Sequence, residues 1–204
     1  MSSNFQLFID FHIWVDTKHV MVVGTDGLGK DAKYIPFETL KEYWQNRISP
    51  ILNSCSHNTP IHVPIEDILT RYLRIFSILV YISTIQSPKL YYIKRFTEEG
   101  VDDNSLPFKA KPDALPNAPD GVQTFNQFQE NQWLFSPVVL GPNRLQSREL
   151  LPESVLPFTF EKVLSGRTGE STTVKKCNVH PSSGLAVVCV PRSSYLPKRM
   201  LNFD

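Results

Sequence analysis

Phe5, Leu7, Ile9, Phe11, Ile13 and Val15 alternate with Gln6, Phe8, Asp10, His12 and Trp14, the period of two expected of a strand. With Lys18–Val23 following the Asp16-Thr17 turn, this segment predicts a hairpin whose two faces both need cover. From Phe37 to Ile48 the period becomes helical. Leu40, Tyr43, Trp44, Arg47 and Ile48 share one side, Glu38, Lys41, Glu42 and Gln45 the other, and Ser49-Pro50 ends the run. The longest helical signal is Ile65 to Ile85. Ile65, Ile68, Leu69, Tyr72, Leu73, Phe76, Leu79 and Val80 keep the 3.6-residue repeat, and Ile75, Ile78 and Ile82 widen the apolar surface almost around the cylinder. Pro64 suits its first turn and Gln86-Ser87-Pro88 its end. Such a helix belongs at the centre of a core or beneath a partner. Glu66, Asp67, Arg71 and Arg74 interrupt it well short of the roughly 20 apolar residues that a bilayer span needs, so no membrane partner is expected.

A further helix of about three turns is predicted after Ser87-Pro88, with Leu90, Ile93 and Phe96 inward and Gly100 at its end. Tyr91, Tyr92, Lys94 and Arg95 then pack their stems and expose their polar tips. Pro107, Pro112, Pro116 and Pro119 mark Asp102–Gly121 as the best linker. Thr124 is expected to cap a helix in which Phe125, Phe128 and Gln132 face inward, ending at Pro137. Leu156–Val190 holds three β-leaning runs, Thr159–Leu164, Thr172–His180 and Leu185–Val190, in the order of an antiparallel meander. The expected organisation is a hairpin and helical region over 1–106, a proline-rich linker over 107–123, and a connecting helix with the meander over 124–204.

Charge narrows the partners. Lys and Arg total 21 against 20 for Asp and Glu, without the basic excess of a nucleic-acid binder. The start of the chain lacks the positive region of a signal peptide, so an intracellular protein, cytoplasmic or nuclear, is expected. Cys55, Cys177 and Cys189 have neither disulfide-framework nor zinc spacing, and Cys177 and Cys189 are expected as free thiols on consecutive strands. His12 and His19 lack a third ligand at a supporting spacing.

Two glycine-bearing turns invite a phosphate. Gly24-Thr25-Asp26-Gly27-Leu28-Gly29-Lys30-Asp31 has the glycine and lysine spacing of a phosphate-binding loop, yet Asp31 stands where a hydroxyl should hold magnesium and Pro36 follows instead of a helix. A surface turn is expected there. In the turn after Leu164, Gly166 and Gly169 either point backbone amides at an anion or supply the positive φ of a tight turn; the residues allow both. Glu98-Glu99 and Asp102-Asp103 flank Gly100 in a helix-ending turn and read as solvated surface. No nucleophile elbow, His-Glu-x-x-His helix or cysteine-rich metal spacing occurs, so no catalytic residue and no metal ligand is expected.

Leu156-Pro157-Phe158, the glycine turn, the second β run and Val179-His180-Pro181 together resemble the beginning of a kinase-like domain found in a family of fungal proteins. Phe128, Gln132, Trp133, Phe135 and Pro137 look like that family's F-x-x-x-Q-W-x-F-x-x-P segment. Tyr72–Val80, Phe96 with Gly100, and Asp102-Asp103-x-Ser105-Leu106-Pro107 are similar to its helical region, so the resemblance covers residues 65–190. It implies an α+β fold: a helical N-terminal region with a hairpin, followed by a partial kinase-like small lobe of three antiparallel strands. Aligned on Val174, however, the glycine positions hold Arg167, Gly169 and Thr172, and Val188 replaces the phosphate-pairing lysine. The chain ends at Asp204, ahead of the hinge and the catalytic lobe. The expectation is a truncated pseudokinase acting as a protein-interaction module, with self-association through exposed strand edges. The alternative is a nucleotide-binding fragment of a serine/threonine kinase-like enzyme, holding ATP weakly through Gly166, Gly169, Val174 and Ala186 and opposed by Thr172 and Val188.

Overall fold

The computed structural model describes residues 3–17, 20–28, 30–49, 63–84, 86–137, 151–165, 172–180 and 189–193. The chain forms an α+β fold of helices and two small antiparallel sheets, divided into two compact units: Met1–Met21 with Ile35–Ser136, and Val22–Tyr34 with Pro137–Asp204.

The expected strand at the start of the first unit is instead a helix, α1 (Ser3–Asp16). An alternating strand needs a polar face, and here Phe8 and Trp14 occupy it. As a helix the same residues gather Phe8, Phe11 and Val15 into one buried stripe and turn Ile13 outward, 61% exposed. Phe11 then sits among aromatic rings, 4.7 Å from Trp44, 5.3 Å from Tyr43 and 6.1 Å from Phe135 between centroids. The second helix, α2 (Phe37–Gln45), buries Leu40, Tyr43 and Trp44 as its periodicity predicts. Arg47 stays exposed with its guanidinium over the Tyr43 ring, at 4.5 Å. The Trp44 indole N–H donates to the Ser77 hydroxyl at 2.9 Å, which donates in turn to the Leu73 carbonyl, so neither polar group is stranded in the core.

The long apolar helix is broken in two, α3 (Ile65–Arg71) and α4 (Leu73–Tyr81), with Tyr72 at φ −123° between them. Neither proline nor glycine stands at the break. The Asp103 carboxylate supplies the cause: it accepts from the Arg74 amide at 2.9 Å and the Ile75 amide at 3.0 Å, capping α4 from a segment distant in sequence. Released from the line of α3, α4 buries Leu73 and every residue from Ile75 to Val80. Among the described residues no helix is long and apolar enough to cross a membrane.

Helix α5 (Tyr92–Glu98) turns Ile93 and Phe96 inward and ends at Gly100, whose φ of +67° is a conformation glycine adopts without steric cost. The Val101 amide donates to the Phe96 carbonyl and the Gly100 amide to that of Thr97, which closes the last turn. A short 3₁₀ turn, Asp103–Ser105, then presents the capping carboxylate. Residues 107–123, expected as a linker, contribute Phe108, Ala114 and Leu115 to the buried core. The expected cap at Thr124 is displaced: α6 (Pro119–Phe135) begins with Pro119 at its first position, and Thr124 is buried inside it with its hydroxyl donating to the Asp120 carbonyl. Phe128, Gln132 and Phe135 do face inward.

In the second unit β1 (Val22–Thr25) and β2 (Asp31–Tyr34) pair as a hairpin. The meander consists of β3 (Phe158–Ser165), β4 (Thr172–Val179) and β5 (Cys189–Ser193), in that order and antiparallel throughout. Thr25 and Leu156 exchange backbone hydrogen bonds of 3.0 and 2.7 Å, and the Thr25 hydroxyl donates to the Phe158 carbonyl, which fastens β1 beside the start of β3. The third strand lies at Cys189–Ser193, whereas Leu185–Val190 was expected; 185–188 fall outside the described residues. Cys189 pairs with Lys176, and Cys177 with Phe160.

Burial raises the Asp103 carboxyl to about 6 from its ordinary 3.8, against the pull of the two amides and of Arg74. The folded chain therefore holds this proton more tightly than the unfolded chain, and stability contributed by it is present below pH 3.8 and lost as pH rises toward 6. The loss is expected to be on the order of 2–3 kcal/mol. Asp103→Asn should remove this component from a urea-unfolding series across that window; an identical slope in both proteins would refute the assignment.

Candidate functional site

Turning Ile13 outward leaves α1 with an apolar surface that runs on from the edge of the buried Phe8, Phe11 and Val15 stripe. Phe8, Ile9, His12, Ile13 and Asp16 on α1 face Ser83, Thr84 and Gln86 from the turn after α4 across an open groove of about 330 Å³. Its lining combines the apolar Phe8, Ile9 and Ile13 with the polar side chains of His12, Asp16, Ser83, Thr84 and Gln86. His12 stacks on Tyr81 at 4.5 Å between ring centroids. The Ser83 hydroxyl donates to the Leu79 carbonyl and accepts from the Lys89 amide, holding the turn against the end of α4. Burial raises the Tyr81 hydroxyl above its ordinary 10.0, and the charge of Asp16 raises it further. A groove of this size takes one or two large side chains, not a whole helix.

A polar cluster follows in sequence. Lys89 is 2% exposed, and its ammonium pairs with the Asp120 carboxylate at the first turn of α6. The same carboxylate accepts from the Tyr91 hydroxyl at 2.6 Å and the Tyr92 hydroxyl at 2.7 Å. The Lys89 bond and the two tyrosine bonds hold Asp120 down at about 2, from the ordinary 3.8. The carboxylate holds three donors at once and neutralises a buried cation, an arrangement that fits a structural role.

Of the residues assigned to a nucleotide, Gly166, Gly169 and Ala186 lie outside the described residues. Val174 is placed in β4 between Ser165 of β3 and Pro191 of β5. The loop between β1 and β2 explains why its phosphate-loop spacing misleads. Its Asp26 carboxylate accepts from the Leu28 and Lys30 amides at 2.9 and 2.8 Å, so the chain's own anion fills the place a phosphate would take. Gly24 serves the fold: a Cβ there would lie 2.2 Å from the Leu156 carbonyl oxygen. Among the described residues no group of three or more His, Cys, Asp or Glu could hold a metal ion.

The groove was hidden by the expected hairpin. Read at helical spacing, Ile13 lies opposite the Phe11 and Val15 stripe, the one signal that could have marked it; nothing in the sequence joins α1 to Ser83–Gln86. The Lys89 and Asp120 pairing has no local signal, because the partners stand 31 residues apart.

Two stability predictions follow from these contacts. Asp120→Asn strands the Lys89 ammonium and should cost about 2 kcal/mol, moderated by the solvent-exposed side of Asp120, whereas Lys89→Met removes the buried charge and should cost less. Chemical denaturation decides the order, and a less stable Lys89→Met chain would contradict it. Gly24→Ala forces Cβ into the Leu156 carbonyl and should cost about 1–3 kcal/mol by calorimetry, with unchanged stability as the contrary result. No family model matches the chain, and neither a curated protein nor a solved structure is found to be similar to it.

Proposed function

We propose that this chain is a non-catalytic protein-interaction module and that the α1 groove is its docking surface. One observation carries the reading: Ile13 stands 61% exposed on a groove whose other walls are already fixed by core packing and hydrogen bonds. Enclosing an isoleucine side chain contributes about 1.5–3 kcal/mol, a useful share of a modest binding energy.

Strand addition, including self-association through the outer strands, is the weaker means. Among the described residues β5 and β2 each pair on one side only. Yet β5 contains Pro191, which offers no amide, and β2 is a four-residue strand carrying Asp31 and Lys33. Proline, charge and shortness all discourage an added strand. The pseudokinase reading is compatible with a binding role and rests on the ordered motif series alone. Phe128, Gln132 and Phe135 in that series are also accounted for by burial in the core.

A photo-crosslinking side chain at position 13 should give discrete partner adducts that one at exposed Val122 does not, and Gln86→Trp, which fills the groove, should reduce them about fivefold or more. Equal adducts from both positions would defeat the proposal. Titration with ATP and magnesium should leave the melting temperature unchanged; a saturable shift abolished by Gly169→Val would instead establish the nucleotide-binding reading.

A further inference from the structure

The groove's charge points to the chemistry of its occupant. Helix α1, Ser-Asn-Phe-Gln-Leu-Phe-Ile-Asp-Phe-His-Ile-Trp-Val-Asp, contains two acids and no lysine or arginine. Its last turn has no basic residue and ends at Asp16, at the negative end of the helix dipole, where Thr17 donates its hydroxyl to the Ile13 carbonyl and its amide to the Trp14 carbonyl. A folded helix ordinarily places a cation there. Asp16 is exposed, lines the groove, and has no ion pair among the described residues. Among the described residues, those that line the groove include no lysine or arginine.

We propose that the groove receives a basic amphipathic segment of a partner protein, with an aliphatic or aromatic side chain over Phe8, Ile9 and Ile13 and a lysine or arginine at Asp16. This rests on the docking reading above and goes further by assigning the partner's charge. The cation meets a carboxylate and a helix terminus of the same sign, so it gains from both. An acidic segment, or an anionic lipid surface, meets repulsion at the same point. The apolar contact sets affinity and the charge sets selection.

Three synthetic helical peptides of about four turns, sharing one leucine pattern and carrying lysine, glutamine or glutamate at the remaining positions, test the assignment on the full chain. Amide chemical shifts report where each binds. The leucine-lysine peptide is expected to shift Ile9, Ile13, Asp16 and Thr84 saturably, with affinity falling as salt is raised. The leucine-glutamate peptide should bind about tenfold or more weakly. Asp16→Asn should reduce leucine-lysine affinity by up to about fivefold and flatten its salt dependence, and Ile13→Ser should reduce it about tenfold or more. Both side chains are exposed, so neither change threatens the fold. If the glutamine or glutamate peptide binds the groove as tightly and Asp16→Asn is without effect, the basic partner is refuted and the docking surface stands. If no peptide shifts the groove residues, both are refuted.

Discussion

Backbone amides in the first turn of a helix have no carbonyl one turn back to bond, and the break between Ile65–Arg71 and Leu73–Tyr81 leaves the Arg74 and Ile75 amides in that position inside an apolar segment. Asp103 places a carboxylate against the Arg74 and Ile75 amides, so α4 gains a first turn of its own in mid-segment. The break lets α3 keep Glu66, Asp67 and Arg71 in its polar turns while α4 is buried on nearly every side. A half-buried carboxylate is costly to keep charged, and desolvation raises its pKa. Its hydrogen bonds and the neighbouring Arg74 charge offset part of that cost, and the gain is a central helix on which α1, α2, α5 and α6 all pack.

The same principle fixes the proline-rich stretch. Ahead of α6, over residues 107–118, its prolines lack amide donors and its apolar residues are spaced without period, so that part forms neither a helix nor a strand. Gln132 provides the missing partner: its side chain accepts from the Phe108 amide at 2.8 Å and donates to the Phe108 carbonyl at 3.3 Å. Phe108 is thereby held against Phe96 and Phe128, with centroids 6.0 and 5.3 Å away. Lys111 donates to the Leu115 carbonyl at 2.5 Å, and Asp120 gathers Lys89, Tyr91 and Tyr92 where α6 begins. Side-chain hydrogen bonds do here what a backbone ladder does elsewhere.

This division explains what was legible in the sequence. Elements stabilised by their own repeat are legible: α2 from Leu40, Tyr43 and Trp44, and β3 and β4 from their β-branched and aromatic runs, whereas α5 has the expected Ile93, Phe96 and Gly100 but starts at Tyr92 and not at the expected Ser87-Pro88. Where a contact distant in sequence decides, local pattern misleads. Asp103 looked like solvated surface because its partners are the backbone amides of Arg74 and Ile75, which no side-chain pattern reveals. Prolines suggested a linker because a buried glutamine that bonds to a strap looks like any other helical glutamine. The start of the chain failed differently. Phe8 and Trp14 make strand and helix readings equally apolar, and only the Tyr43, Trp44 and Phe135 rings around Phe11 favour the helix.

That last ambiguity bears directly on the functional reading. A helix that is apolar on more than one side must either be enclosed or leave part of that surface exposed. Helix α1 commits Phe8, Phe11 and Val15 to the core, and the same geometry that satisfies them carries Ile13 to the surface. The Ile13 side chain is mostly outside the core, so a polar replacement should cost the core little and the side chain is free to meet a partner. Asp16 poses the matching electrostatic question, for an acid at a helix C-terminus opposes the dipole. Both features are unfavourable or idle in the isolated chain. Under the docking proposal, a single occupant bearing an apolar side chain and a cation would make both of them favourable at once.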